Sequence, residues 1–213
     1  MIHLALVLLL LVWPSVAPGA PAASRTENAA GQSLLAALRD GGLVLFFRHA
    51  DTRGEPCDRS FRLGDRAGQR NLSPAGRRQA QEIGAGLAAL GVPFHVPILA
   101  GPVFRARDTA ELAFGADRVE VTDSLLADDY ARDRLPWVLA EHRRLFAAPV
   151  PPGGNRVLVG HRTPAIMVVG EEIGGTAFPE GAALVIRPGG EGFTLLGILE
   201  LVPLPGGGFH GCG

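Results

Sequence analysis

Three apolar runs in this sequence each end on residues suited to handling an anion. Leu43-Val44-Leu45-Phe46-Phe47 leads directly into Arg48-His49, and Arg156-Val157-Leu158-Val159 leads into Gly160-His161. A third run, Val96-Pro97-Ile98-Leu99-Ala100, ends at Gly101-Pro102 and is followed by Arg105. A guanidinium presents a planar fork of donors that fits phosphate or carboxylate oxygens, and an imidazole is the side chain whose unperturbed charge changes near neutrality. Two of each, delivered to one place, could bind an oxyanion and supply a nucleophile or a proton relay.

The runs themselves say how such convergence would arise. Short, continuous apolar stretches bounded by Gly and Pro read as strands covered on both faces, the pattern of a mostly parallel sheet. Ligands of open α/β sheets bind in the crevice beyond the carboxyl ends of the strands, where all three runs place their polar residues. Helices are expected between them. Residues 32–40 carry Leu34, Leu35 and Leu38 at helical spacing before Gly41-Gly42. Ser73-Pro74 reads as an N-cap and first helical position, with Ile83, Leu87 and Leu90 continuing one apolar face. Further helices are predicted over 102–114, with Arg105 in the first turn, over 130–146, and from Thr163-Pro164 onward. Short strands are predicted at 118–121, 182–186 and 193–199. The long segment between Arg53 and Asn71 contains Arg53, Arg59, Arg62, Arg66 and Arg70, and loops of that length inside a compact domain tend to be functional. Arg53 and Arg70 are accordingly candidate substrate contacts, and a merely solvated charge run is the alternative. Arg107 is expected to be solvated or ion-paired.

With these motifs in hand, the chain resembles the histidine phosphatase superfamily, whose pattern is Arg-His-Gly-x-Thr after the first strand, a later Arg and a second Gly-His. The matching stretches are Arg48-His49-Ala50-Asp51-Thr52, Gly101-Pro102-Val103-Phe104-Arg105 and Val159-Gly160-His161. Asn71-Leu72-Ser73-Pro74-Ala75-Gly76 through Gln79-Ala80 is a further match, and Ala50 replaces the usual Gly. The resemblance implies a three-layer α/β/α, phosphoglycerate-mutase-like fold with a mostly parallel sheet and helices on both faces. It also implies a phosphomonoester hydrolase in which His49 becomes a phosphohistidine, with Arg48, Arg105 and His161 holding the phosphoryl group and Thr52 as a further phosphate contact. No cofactor or metal is implied. The family's acid position, Leu-x-Glu, is matched by Leu126-Ala127-Asp128, so Asp128 is the candidate proton donor. Asp129 and Glu180 are alternatives, and the Asp128-Asp129 pair could instead cap the following helix. An inactive phosphate-binding module and a mutase-type phosphoryl transferase are the rival readings of the whole chain.

The chain's 213 residues, 47% of them apolar, are enough for one α/β domain and too few for two of that class. A net charge of −1 gives no argument for nucleic acid. All 20 basic residues are Arg, which reflects compositional bias as readily as function. An apolar stretch from Leu4 to Trp13 followed by Pro14, Pro18 and Ala20-Pro21-Ala22 reads as an export signal over residues 1–22, with a linker at 23–31 and the domain at 32–213. The stretch is shorter than the roughly 20 residues of a membrane span, so the mature chain is expected to be periplasmic or extracellular without an anchor. Its expected partner is a phosphorylated small molecule or an envelope glycan. In an oxidising compartment the two cysteines, Cys57 and Cys212, could form one disulfide or remain two thiols.

Overall fold

The fold is described for residues 22–210 of a computed structural model. The expected export signal, save Ala22, and Cys212 lie outside the described residues. In chain order the elements are β1 (Ser24–Arg25), α1 (Ala29–Asp40), β2 (Val44–Arg48), α2 (Pro74–Ala89), β3 (Ile98–Ala100), α3 (Phe104–Phe114) and β4 (Val119–Val121). They continue with α4 (Asp128–Ala131), α5 (Leu135–Ala147), β5 (Arg156–Gly160), α6 (Arg162–Val169), β6 (Ala183–Pro188) and β7 (Phe193–Glu200). The strands form one sheet in the order β1-β7-β6-β2-β5-β3-β4. Pairings of β2 with β5, β5 with β3, β3 with β4 and β7 with β1 are parallel, whereas β6 is antiparallel to both β2 and β7. The expected mostly parallel α/β architecture is what the chain adopts.

Side chains alternate across a strand, and here the alternation divides each apolar run between two cores. From β2, Leu45 and Phe47 pack with Leu35 and Leu38 of α1, Ile83 and Leu87 of α2, and Ala106 and Ala110 of α3. Val44 and Phe46 point the other way, onto Leu145 and Phe146 of α5 and Ala165 of α6. The β5 strand divides likewise, Val157 and Val159 to the first core and Leu158 to the second. Helices on both faces are thus why β2 reads as an unbroken apolar run rather than an alternating one. Gly84 of α2 sits where a Cβ would strike the Ala113 carbonyl of α3, so these two helices approach at backbone distance.

Helix ends follow the local chemistry. The Ser73 side chain accepts from the Gly76 N–H at 2.9 Å with Pro74 in the first turn of α2, as expected. Two expectations need correction. Residues 23–31 are not a free linker: Ser24 and Arg25 pair in parallel with Leu199 and Glu200, and Asn28 caps α1 through the Gly31 N–H at 2.7 Å. A two-residue edge strand with polar side chains carries no periodic signal. The single helix expected over 130–146 is broken into α4, a 3-10 turn at Arg132–Arg134, and α5. Arg132 has a positive φ of 51°, and Pro136, lacking an N–H, fits only the first turn of a new helix.

His142, on the inner face of α5, is fully buried between Phe46 and Phe146. Its Nδ1–H donates to the Val138 carbonyl at 2.8 Å, and desolvation lowers its pKa to about 4. The unfolded chain therefore binds a proton near pH 6.5 that the folded chain refuses until about pH 4. The stabilisation is complete above 6.5 and is lost as pH falls toward 4, on the order of 3 kcal/mol for this group. Urea unfolding is expected to show about 2 kcal/mol of this loss between pH 7 and pH 5, and His142→Phe should reduce the slope.

Candidate active site

Arg48 ends β2 and pairs with Gly160, the last residue of β5, so His49 and His161 leave the sheet side by side. Their ring centroids lie 5.6 Å apart. The backbone holds His49 from both neighbours: its N–H donates to Gly160 O at 3.1 Å, and its carbonyl accepts from Gly181 at 2.9 Å. The Nδ1 of His49 lies 2.9 Å from the Ala50 carbonyl, which can only accept, so Nδ1 carries the proton and Nε2 the lone pair. Burial, then the positive charge of Arg105 and Arg48, holds its pKa well below the usual histidine range. His161 is lowered by the same two causes, burial first. Both imidazoles are neutral at physiological pH.

Arg105 is fixed to this pair through Thr109 of α3, whose hydroxyl accepts from the Ala50 N–H at 2.9 Å and donates to the Arg105 carbonyl at 2.7 Å. The guanidinium is buried and donates through one Nη to both oxygens of Asp58, at 3.0 and 3.1 Å. Tyr130 also donates to Asp58, at 2.5 Å, and burial followed by that carboxylate raises the phenol's pKa. Arg48 donates to the carbonyls of Phe178 and Gly208 at 2.9 Å and to Glu180 at 3.3 Å. Burial lowers its pKa to about 10, with Glu180 opposing, so it remains charged at neutral pH. The Nε of each of these two arginines has no partner among the described residues, so neither donor fork is filled there.

A cleft of about 260 Å³ opens over these groups, lined by Arg48, His49, Arg105, His161 and Asp128, with Arg70 and Arg162. Asp58, Asp129, Phe61 and Thr163 also face it. Of the expected site residues, the structure brings together His49, His161, Arg48, Arg105, Arg70, Asp128 and Asp129. It does not bring in Thr52, Arg53 or Glu180. Thr52 donates both its N–H and its hydroxyl to Glu180, at 3.1 and 2.9 Å. Arg53 turns to the C-terminal segment, meeting His210 Nε2 at 3.0 Å and the Pro205 carbonyl at 3.3 Å. Glu180, fully buried, is the counter-charge of Arg48 and also faces His210 Nδ1 at 2.9 Å. Removing it would strand the buried Arg48 cation. Glu180→Ala and Glu180→Gln are each expected to cost about 3–5 kcal/mol in urea unfolding, since both remove the counter-charge.

Asp128, by contrast, opens α4 on the cleft wall. Burial and then repulsion by Asp129 raise its pKa, with the Thr163 side chain and Arg105 pulling the other way. A carboxyl raised in this way can hold a proton for transfer. Arg107 pairs with Glu111 at 2.7 Å on the exposed side of α3, outside the cleft. Asp58, Phe61 and Arg162 were not expected in the site. The 53–71 segment that brings the first two is pinned to α3 by the two-pronged Arg66–Asp108 pair, at 2.6 and 2.8 Å. Its length was the one sequence signal for them. Cys57 beside Asp58 is disulfide-bonded, while the chain's second cysteine, Cys212, lies outside the described residues. Among the described residues, Asp51, Glu180 and His210 are grouped closely enough to suit a metal ion. Arg48 and Arg53 already donate to that group, which opposes a further cation there.

A family model matches residues 44–126. That model describes the histidine phosphatase superfamily, branch 1, and the match spans less than half of the chain. The matched segment holds Arg48, His49, Asp58 and Arg105 and stops before Asp128 and His161. Two phosphatases are among the solved structures that share the fold. The protein histidine phosphatase SixA complexed with tungstate is 18% identical, with a TM-score of 0.52 over 74% of this chain and 96% of that one. The mycobacterial glucosyl-3-phosphoglycerate phosphatase complexed with VO3 is 19% identical, with a TM-score of 0.51 over 76% of this chain and 100% of that one. No curated protein matches the chain.

Proposed function

We propose that this protein is a phosphomonoester hydrolase that works through a phosphohistidine on His49, acting outside the cytoplasm on an envelope sugar phosphate. The observation that carries the reading is a neutral, buried imidazole with its lone pair on Nε2, set in a cleft among four arginines. In the first step Nε2 attacks phosphorus, the P–O bond to the leaving group breaks, and Asp128 gives the leaving oxygen its proton. In the second a water attacks the phosphohistidine, Asp128 takes the water's proton, and the P–N bond breaks to release phosphate. Negative charge developing on the phosphoryl oxygens is met by Arg48, Arg105 and His161, positioned before the reaction begins. Export is supported by the signal-like residues 1–22 and by the disulfide at Cys57, which belongs to an oxidising compartment. Among the described residues, no helix is long and apolar enough to cross a membrane.

The test is hydrolysis of p-nitrophenyl phosphate by the purified mature chain in EDTA. Turnover is expected. Activity that disappears with chelator and returns with a divalent metal would overturn the mechanism. N-terminal sequencing of the exported protein should begin at Ala23, and a chain retaining Met1 would overturn the export reading.

A further inference from the structure

Phe61 brings an apolar aromatic ring to a cleft otherwise lined mostly by polar and charged side chains, and the proposed chemistry does not use it. It lies on the 53–71 segment with a φ of +47°, a conformation that disfavours bulky L residues and that Gly or Asn would adopt more readily. Such a conformation persists where the surroundings hold it and the side chain has a use. Burial does not explain it: Phe61 is 37% exposed, and its one ring partner among the described residues is Tyr130, 5.6 Å away and tilted by 60°. Phe61 also lines the cleft. Its position relative to the phosphoryl site is also fixed. Tyr130 behind it donates to Asp58, and Asp58 receives Arg105, so the aromatic wall and the anion-binding arginine are joined through two hydrogen-bonded contacts.

We infer that Phe61 determines specificity, selecting phosphomonoesters whose leaving group carries a ring with an apolar face. The inference rests on the hydrolase reading above and adds to it the feature of the leaving group that is read. A pyranose suits the wall on both counts: its C–H face lies on an aromatic ring, and its hydroxyls can reach the Asp129, Thr163 and Arg70 side chains on the same cleft. At about 260 Å³ the cleft falls just under the roughly 300 Å³ at which pockets begin to take drug-sized ligands, which matches one ring and its phosphate rather than a larger glycan.

The experiment compares glucose 6-phosphate with glycerol 3-phosphate. Both are primary alkyl esters bearing hydroxyls, so leaving-group chemistry is matched and the ring is the difference. The wild-type chain is expected to favour the sugar ester in kcat/KM by about tenfold or more, the scale set by one well-packed apolar contact. Phe61→Gly, which keeps the positive φ without penalty, should remove most of that preference through KM, and Phe61→Tyr should retain it. A wild-type enzyme that turns over both esters equally, or a Phe61→Gly variant that loses both in proportion, would overturn the inference and leave the hydrolase reading standing. Wild-type protein that hydrolyses neither ester nor p-nitrophenyl phosphate would overturn both.

Discussion

Replacing His49 with Ala is expected to lower phosphomonoesterase turnover on the order of 10⁴- to 10⁶-fold, while Arg107→Ala leaves it within about twofold. The contrast follows from placement. His49 offers Nε2 to the cleft with its tautomer set by the Ala50 carbonyl, whereas Arg107 pairs with Glu111 on the exposed face of the helix that carries Arg105. Loss of a nucleophile removes the covalent route altogether, and the arginines left behind can only bind the ester. Steady-state kinetics on p-nitrophenyl phosphate provides the measurement, with circular dichroism to confirm that both variants fold. Equal losses at the two positions would place the chemistry elsewhere. The pH profile gives a second check. Because burial and the neighbouring cations hold the His49 pKa well below 6.5, the reactive neutral imidazole persists as pH falls through 6.5. An acid limb in kcat/KM centred at 6.5 would contradict that environment.

Asp128→Asn is expected to cost on the order of 10² to 10⁴ in kcat on a sugar phosphate and far less on p-nitrophenyl phosphate. An alkoxide needs a proton to leave, while nitrophenolate departs largely unaided, so loss of a proton donor falls unevenly on the two. The folded-state pKa of Asp128 is raised by burial and by Asp129, which keeps part of the population protonated at pH values where an ordinary Asp would be ionised. The basic limb of the sugar-phosphate profile should therefore lie above the ordinary Asp range and vanish in the variant. If Asp128 serves only as a first-turn acid of α4, the variant would lose about 0.3–1 kcal/mol of stability and leave the ratio of the two substrates unchanged. A ratio that moves instead with Asp129→Asn would assign the proton to its neighbour. Glu180, the third acid considered from sequence, sits behind Arg48 with its oxygens engaged by Arg48, Thr52 and His210.

What could be read ahead of the structure was whatever the chain encodes locally. The β2, β3 and β5 runs, the Ser73 cap and the Arg-His and Gly-His strand ends are short-range patterns, and each element formed within a few residues of its expected bounds. Thr52 shows where a motif position misleads: its spacing suits a phosphate contact, but its hydroxyl is turned to Glu180, 128 residues away along the chain. Asp58 and Phe61 could not be placed because the path of the 53–71 segment depends on distant ion pairs, Arg66 with Asp108 and Arg105 with Asp58. Nothing periodic in the segment signals these contacts. The α4–α5 break was readable in principle, since Pro136 marks a helix start, but the apolar spacing across it masked the positive φ at Arg132.

The spacing of the two histidines is a property of the sheet. Arg48 and Gly160 are registered partners on adjacent parallel strands at the centre of seven, and each histidine is the next residue along. Insertions and deletions elsewhere cannot change that spacing unless they shift the register, and such a shift would turn both apolar faces inside out. The walls of the cleft have no such constraint, because Asp58 and Phe61 come from a connection between β2 and α2 and Asp128 from one between β4 and α5. Selection can therefore rewrite what the cleft admits, segment by segment, while the reacting centre stays fixed. Transplanting residues 53–71 into another chain of this fold, with the partners Asp108 and Tyr130, would be a compact way to carry substrate preference from one protein to another.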